Sequence, residues 1–292
     1  MLLGEQKVAL KIMGSEVKSM LLKDKVVVIS GVGPGLGQSL AKMAAQEGAA
    51  VVLGARSQDF IDKVAAEIRD AGGRVVAHST DVTSTEQCQA LVSAGVAAFG
   101  KIDGLVNSAY AHGDWAPADV SDPDKMGDVI NVICQGALRM AQACAPHMQA
   151  AGGGSIVNVS TMSTVKPFSG ETMYAAGKGA LNALTRHMAN DFGKFSIRVN
   201  ALRMGWIGGA PVYAFIDSQV AAGADRDTVV RGITDRIPLG VIPPEADCAK
   251  AVLAFLSDYS AVITGTSVDV NGGEYMAPYF ILVVSSGRQG GH

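Results

Sequence analysis

The chain of 292 residues is 48% hydrophobic, 17% charged and 5% aromatic, with 35 glycines. Its formal net charge of −3 gives no basic surface for nucleic acid, and no apolar run reaches the roughly 18 residues that cross a bilayer. Four cysteines without a CxxC pair favour free thiols in a reducing cytoplasm over a zinc or disulfide framework. We therefore expect a soluble cytoplasmic protein with no metal, no membrane and no nucleic-acid partner.

Strands and helices alternate along the chain. Short β-branched runs such as KVVVIS at 25–30 predict buried strands, and longer runs with apolar residues on one face predict helices. The predicted strands are 25–30, 50–55, 74–82, 102–109, 154–160, 196–202 and 266–273. The predicted helices are 36–49, 59–73, 84–98, 124–150, 172–193 and 244–258.

This alternation predicts the fold and the domain organisation. A regular strand–helix order gives right-handed crossovers and a parallel sheet. We predict one α/β domain at 25–275, a Rossmann-like doubly wound sheet of about seven parallel strands with helices on both faces. An N-terminal extension at 1–24 and a C-terminal tail at 276–292 flank it. A helical lid at about 206–240 would close over a substrate.

A glycine-rich turn joins the first strand to the first helix. The stretch SGVGPGLGQS at 30–39 permits a tight turn, close approach to a pyrophosphate and close helix–sheet packing. A Walker A loop would need Gly-Lys-Ser/Thr where this chain has Gly37-Gln38-Ser39, so an NTPase is disfavoured. The turn predicts a dinucleotide site, with candidate contacts at Gly31, Gly33, Gly35, Leu36 and Gly37.

The end of the second strand bears on the type of dinucleotide. An NAD site usually places an acid roughly 20 residues beyond the glycines, to bind the ribose 2′-hydroxyl. Residues 54–57 read Gly-Ala-Arg-Ser, with no carboxylate to repel a 2′-phosphate. The guanidinium of Arg56 suits such a phosphate, so Arg56 and Ser57 are candidate contacts. NADP(H) is favoured and NAD(H) is possible, because an arginine that only enters a helix in solvent gives the same sequence.

Several motifs follow one another in a fixed order. SGVGPGLG at 30–37, NSAY at 107–110 and YAAGK at 174–178 are similar to TGxxxGxG, NNAG and YxxxK. RVNALRMGWIGG at 198–209 and VDVNGG at 268–273 complete the series. In this order and spacing they resemble the short-chain dehydrogenase/reductase family over nearly the whole predicted domain. The resemblance implies a compact single-domain oxidoreductase.

The resemblance also implies roles for residues outside the glycine turn. Asp81 and the adjacent Val82 fall where an aspartate contacts the adenine ring. Asn131 matches a catalytic asparagine that holds a water relaying protons from Lys178, and Lys178 also binds the nicotinamide ribose. Further cofactor contacts are implied at Asn107, Ala109, Gly205 and Ile207.

Three positions depart from the family pattern. Tyr110, Met204 and Gly209 replace a glycine, a proline and a threonine. The first two changes alter loops around the nicotinamide and the substrate, and the third removes a hydroxyl that often holds the cofactor. None of them touches the reacting groups directly.

Tyr174 and Lys178 are the candidate groups for proton transfer. They lie one helical turn apart on the same face, where the lysine charge would favour the phenolate of the tyrosine. An isolated tyrosine and lysine at this spacing more often have a structural role, with the tyrosine packed on the sheet and the lysine in solvent. The surrounding motifs favour the catalytic role here. In the family a serine about a dozen residues earlier binds the substrate oxygen, and this register gives Thr161 first, with Ser163 and Ser160 as alternatives.

The sequence thus predicts an NAD(P)-dependent oxidoreductase that interconverts a secondary alcohol and a ketone. Apolar residues in the loops at 108–122, 161–171 and 204–240 favour a hydrophobic small molecule, with His112 as a solvated loop residue. The alternatives are a related dehydratase, epimerase or enoyl reductase, and a non-catalytic NADP(H)-binding protein. The resemblance also implies a homodimer or homotetramer with contacts through the helices at 124–150 and 172–193.

Overall fold

A computed structural model describes residues 20–277. Residues 1–19 of the predicted N-terminal extension and residues 278–292 of the predicted C-terminal tail lie outside the described residues. Within 20–277 no helix is long and apolar enough to cross a membrane. The order of strands and helices along this part of the chain follows the alternation that the sequence predicts.

Seven parallel strands form one sheet in the order β3-β2-β1-β4-β5-β6-β7. The order reverses between β1 and β4, where the carboxyl ends of parallel strands open a crevice for ligands. This sheet confirms the predicted doubly wound α/β class. The strands are β1 Val26–Ser30, β2 Ala50–Ala55, β3 Arg74–Ser79, β4 Gly104–Asn107, β5 Gly154–Thr161, β6 Ile197–Met204 and β7 Ser267–Val270.

Helices cover both faces of the sheet, as predicted. Buried residues of α1, α2 and α9 form a core on one face, and those of α3, α5 and α6 form a core on the other. In the part of the chain that the structure describes, the helices are α1 Leu36–Gln46, α2 Gln58–Asp70, α3 Thr85–Phe99, α4 Met126–Ile130, α5 Gly136–Ala150, α6 Thr172–Phe192, α7 Ala210–Ala221, α8 Arg226–Thr234 and α9 Glu245–Leu256.

The predicted helix 124–150 is not continuous. A 3₁₀ turn at Pro123–Lys125 precedes α4, and a π-helical segment at Asn131–Gln135 separates α4 from α5. Such segments insert an extra residue into the helix and occur often at functional sites. Because Asn131–Gln135 itself contains neither glycine nor proline, the sequence pattern does not reveal the interruption.

The third strand is shorter than the predicted range 74–82. It ends at Ser79, and the carboxylate of Asp81 then accepts hydrogen bonds from the backbone N–H and the hydroxyl of Thr83, at 2.9 and 2.7 Å. This side-chain turn competes with the strand for backbone donors and leads the chain into α3.

Candidate active site

A cavity of about 800 Å³ opens at the carboxyl ends of the central strands. The glycine turn forms one side, α6 and the end of β5 form another, and the segment after β6 covers it. α7 and α8 occupy the predicted lid, and the first residues of α7 line the cavity. The predicted site residues in its lining are Gly31, Gly33, Gly35, Leu36, Gly37, Thr161, Tyr174, Lys178, Gly205 and Ile207.

The glycine turn has the shape of a phosphate cradle. Gly31 has a φ of 83°, and a Cβ there would overlap the backbone of Ala109. A Cβ on Gly37 would lie 2.7 Å from the carbonyl oxygen of Gly31. Gly35 precedes α1 without a side-chain cap, so first-turn N–H groups of this helix are available to an anion. These features fit the pyrophosphate of a dinucleotide.

Glu245, the first residue of α9, lies beside this cradle and is a residue that sequence reasoning missed. Its carboxylate accepts a hydrogen bond of 2.9 Å from the hydroxyl of Ser39. A Cβ on Gly209 would overlap the same carboxyl group. A side chain at position 209, where the family has threonine, would therefore require the flexible Glu245 side chain to move.

Gly205 and Ile207 follow β6 and line the cavity. The N–H of Gly205 donates to the carbonyl of Val270 at 3.1 Å, which extends the pairing of β6 with β7. A Cβ on Gly205 would lie 2.7 Å from the Cβ of Asn271. Close packing of two chain segments thus requires glycine here, whatever its role toward a cofactor.

Tyr174 and Lys178 lie together near the start of α6. The Nζ of Lys178 is 5.8 Å from the centroid of the Tyr174 ring and donates a hydrogen bond of 2.6 Å to the carbonyl of Val159. Lys178 is almost completely buried, and burial lowers its pKa to about 7. Both groups therefore meet the cavity at one point, on the face of the helix that the spacing predicts.

The phenol of Tyr174 is held in its neutral form. Burial raises its pKa above the usual range, and the negative charge of Glu171 raises it further. The hydroxyl of Thr161 opposes part of this rise. Burial thus outweighs the stabilisation of the phenolate that the sequence leads us to expect from Lys178.

The three candidate hydroxyls all line the cavity, in different environments. Thr161 is the last residue of β5, and its Oγ1 lies 3.0 Å from the Oγ of Ser163. Ser163 donates its hydroxyl proton to the carboxylate of Glu171, another group that sequence reasoning missed. The hydroxyl of Ser160 is buried without a hydrogen-bond partner among the described residues. Thr161 and Ser163 therefore form a pair that adjoins Tyr174, and Ser160 is separate from it.

A group of aromatic side chains lines the cavity beside Tyr174. The ring of His112 stacks on Trp115, with centroids 3.9 Å apart, and lies 4.7 Å from the ring of Tyr174. Burial, followed by the charge of Lys178, lowers the pKa of His112 to about 4, so its ring is neutral. The prediction of a solvated loop histidine is wrong, because the loop folds this ring between two aromatic side chains.

Asn131 begins the π-helical segment and lies outside the cavity lining. Its side-chain oxygen is buried without a hydrogen-bond partner among residues 20–277. Its backbone carbonyl accepts a hydrogen bond of 3.4 Å from Arg139. An orphaned buried oxygen is uncommon and indicates a place for a small polar molecule.

The predicted adenosine contacts lie beyond the cavity, at the carboxyl ends of β2 and β3. Arg56 is exposed, and its guanidinium makes no hydrogen bond or ion pair with another described residue. The hydroxyl of Ser57 caps α2 by accepting the N–H of Phe60 at 3.4 Å. The bonds from Thr83 lower the pKa of Asp81, and the carbonyl of the buried Val82 accepts from Arg139 at 3.2 Å.

Asn107 has a structural environment. Its amide nitrogen donates to the side-chain oxygen of Asn158 at 2.9 Å, and its oxygen accepts from the hydroxyl of Ser30 at 3.3 Å. Asn158 in turn donates to Thr185 at 2.9 Å. This buried chain joins β1, β4, β5 and α6, while Ala109 takes part in the site through the backbone that abuts Gly31.

The parallel sheet, the glycine cradle at its switch point and the tyrosine–lysine pair define a dinucleotide-binding α/β protein of the oxidoreductase class. A family model described as "Enoyl-(Acyl carrier protein) reductase" matches residues 31–274. The chain belongs to the short-chain dehydrogenase/reductase family of oxidoreductases, which confirms the resemblance drawn from the motifs. Among the described residues no three histidine, cysteine or acidic side chains are placed to hold a metal ion.

Three relatives illustrate the range of this similarity. The cis-4-hydroxycyclohexanecarboxylate dehydrogenase of Sinomonas cyclohexanicum is 33% identical over 86% of this chain and 96% of its own. L-sorbose reductase from Gluconobacter frateurii, solved with NADPH and L-sorbose, is 27% identical, with a TM-score of 0.83 over 88% and 98% of the two chains. An NAD+-bound xylitol dehydrogenase is 29% identical, with a TM-score of 0.79 over 86% and 99%.

Proposed function

We propose that this protein is an NAD(P)(H)-dependent oxidoreductase that interconverts a secondary alcohol and a ketone on a neutral, hydrophobic small molecule. The observation that carries the proposal is the convergence of Tyr174 and Lys178 with the glycine cradle on one cavity. The relatives named for hydroxycyclohexanecarboxylate, sorbose and xylitol support a carbonyl–alcohol reaction.

The nicotinamide supplies or accepts the hydride, and the protein must handle the oxygen and its proton. Since the phenol of Tyr174 is neutral at physiological pH, it can donate a proton to the oxygen of a bound ketone. The adjoining hydroxyls of Thr161 and Ser163 hold that oxygen in place. The nearby amine of Lys178 provides positive charge to stabilise the phenolate that remains.

We propose NADP(H) as the preferred cofactor. The exposed guanidinium of Arg56 is free of partners among the described residues, and no carboxylate occurs in residues 54–57. A 2′-phosphate could therefore form charge-assisted hydrogen bonds there. Solved relatives hold NADPH in one case and NAD+ in another, so the choice depends on residues of this chain.

The lining of the cavity favours a neutral ring-shaped substrate. The charged side chains in it are the buried Lys178 and two acids, Glu171 and Glu245. A carboxylate on the substrate would meet Glu171 close to Tyr174, whereas an alicyclic or aromatic ring would contact apolar surface. That surface is formed by Tyr110, Trp115, Met162, Phe168, Trp206 and Phe215.

The test is an NADPH-coupled assay over a panel of ketones, with NADH in parallel. We expect turnover of neutral cyclic ketones such as substituted cyclohexanones and at least tenfold lower kcat/KM for 4-oxocyclohexanecarboxylate. The family description makes enoyl reduction a second candidate, so an enoyl thioester belongs to the panel. Turnover of the enoyl thioester alone would replace carbonyl reduction, and no turnover with any compound would favour a cofactor-binding protein without catalysis.

We propose that the protein acts in the cytoplasm as a homodimer or homotetramer. The supporting features are the free thiols of its four cysteines and the small residues on α5 and α6, the helices in which we expect the contacts. Light scattering coupled to size exclusion measures the mass directly; a monomer at micromolar concentration would contradict the oligomer.

A further inference from the structure

Glu171 begins a chain of hydrogen-bonded hydroxyls in the cavity that also contains Tyr174. The carboxylate of Glu171 accepts from the Oγ of Ser163, and that Oγ lies 3.0 Å from the Oγ1 of Thr161. Thr161 also accepts the backbone N–H of Ser163 at 3.2 Å and lines the same cavity as the phenol of Tyr174. Thr161 and Ser163 are each only 8% exposed, so water competes little for these bonds.

Donor counting fixes the direction of this chain. Each hydroxyl has one proton to donate, and an ionised carboxylate can only accept. When Glu171 is ionised, Ser163 gives its proton to Glu171, and Thr161 must then donate to Ser163. In this state Thr161 has no proton left for a substrate oxygen, so the hold on the ketone oxygen proposed above requires the opposite direction of the chain.

The direction reverses when Glu171 is protonated. The carboxyl group then donates to Ser163, Ser163 donates to Thr161, and Thr161 can donate to the phenolic oxygen of Tyr174 or to the substrate. The side chains of Glu171, Ser163 and Thr161 line the same cavity, into which Tyr174 also brings its phenol.

We propose that Glu171 is a positioning residue that sets the direction of the hydroxyl chain and thereby forms, with Ser163 and Thr161, a proton path to Tyr174 separate from Lys178. The proposal rests on the carbonyl–alcohol reaction proposed above. It adds a source and a destination for the proton that accompanies the hydride.

The proton balance in reduction is as follows. The hydride forms a C–H bond at the carbonyl carbon, the carbonyl oxygen takes the proton of Tyr174, and the nicotinamide is oxidised. Tyr174 then takes a proton from Thr161, Thr161 from Ser163 and Ser163 from Glu171. The resulting carboxylate takes one proton from solvent, and oxidation of the alcohol runs every transfer in reverse.

Other titratable groups face this chain. On α6 they are Tyr174 and Lys178, and on the loop after β4 they are Tyr110 and His112. Lys166, on the loop after β5, is paired with Glu274 at 2.9 Å. A change in pH dependence must therefore be assigned by substitution at Glu171 itself.

The test compares Glu171→Gln, Glu171→Asp and Ser163→Ala with the wild type, in both reaction directions and across pH. We expect Glu171→Gln to lower kcat of oxidation about tenfold or more, with little change in KM, and to shift the acidic limb of its pH profile. Glu171→Asp should restore the limb. Ser163→Ala should lower kcat of oxidation by a similar factor. The double variant with Glu171→Gln and Ser163→Ala should lose no more kcat than either single variant, because both changes break the same path.

Glu86 offers a matched control, because it too is an acid at the start of a helix that accepts from a serine, Ser84, at 2.9 Å. Glu86→Gln should leave the pH profile unchanged. An unchanged profile in Glu171→Gln, or additive losses in the double variant, would overturn the inference while wild-type turnover still supports the proposed function.

A measurement that needs no turnover distinguishes failure of this inference from failure of the proposed function. The infrared difference between wild type and Glu171→Gln isolates the carboxylate band of Glu171, and Ser163→Ala should shift that band by removing its hydrogen bond. If no ketone is turned over, the proposed function fails. If the band does not move, the chain does not exist in solution and the inference fails whatever the activity.

Discussion

A Thr161→Val variant tests which of two hydroxyls, that of Thr161 or that of Ser163, holds the substrate oxygen. Valine keeps the shape of threonine and removes its bond to Ser163 Oγ and its acceptance of the Ser163 N–H. A buried N–H without a partner costs about 1–3 kcal/mol, so we expect the free energy of unfolding to fall by that amount. Loss of a donor to a reacting oxygen typically lowers kcat by about 10²–10³.

The assay combines denaturant unfolding with kcat and KM for the best ketone of the panel. Thr161→Ser is the matched control, because it keeps the hydroxyl and removes only a methyl group; it should retain kcat within a few-fold. If Thr161→Val keeps full kcat while Ser163→Ala loses it, the role of holding the substrate oxygen belongs to Ser163. If neither change lowers kcat, the assignment of this hydroxyl pair is refuted.

Three further predictions follow from the same structure. Arg56→Ala should weaken NADPH binding roughly 10–100-fold, as expected for a lost charge-assisted hydrogen bond, and leave NADH binding unchanged. Calorimetry measures both affinities, and equal weakening of the two would contradict the NADP(H) preference. Gly31→Ala should lower the free energy of unfolding by more than the roughly 1–3 kcal/mol of a strained positive φ, because the new Cβ would also overlap the Ala109 backbone. Gly33→Ala is the control: its new Cβ would have no atom within 4 Å, so this variant should melt like the wild type. Lys178→Met should raise the melting temperature at pH 7, and the gain should be smaller towards pH 10. Burial lowers the pKa of Lys178 to about 7 from near 10.5, so between these pH values the unfolded chain binds more protons than the folded chain. The free-energy cost of burying Lys178 therefore falls as pH rises. An equal gain at both pH values, or the same response in the exposed Lys63→Met, would contradict that account.

The features that sequence reasoning found are those that short stretches of chain determine. Strand and helix alternation fixes a parallel sheet, and the glycines at 31 and 37 are needed where backbone meets backbone. Tyr174 and Lys178 share a face because four residues make about one helical turn. Short motifs and their order along the chain indicate all of these features, so the fold class and the tyrosine–lysine pair could be predicted.

The features that it missed depend on contacts between distant segments or on local exceptions. Glu245 reaches Ser39 from 206 positions along the chain, and only the folded sheet brings them together. His112 lines the cavity because a loop after β4 folds it against Tyr174 of α6. Glu171 precedes Tyr174 by one turn, but its partner Ser163 is set by the turn after β5. At Asn131 the apolar pattern runs unbroken through the π segment, so nothing in the sequence signals it.

The most direct measurement of the central claim is NADPH-dependent ketone reduction by Tyr174→Phe, made together with NADPH binding by the same variant. Phenylalanine keeps the ring that contacts His112 and removes only the hydroxyl. We predict that NADPH binding stays within about threefold of the wild type while kcat falls by about 10²–10⁴, as for loss of a general acid. Near-normal kcat with intact NADPH binding would show that Tyr174 does not supply the proton and would contradict the proposed function of this site.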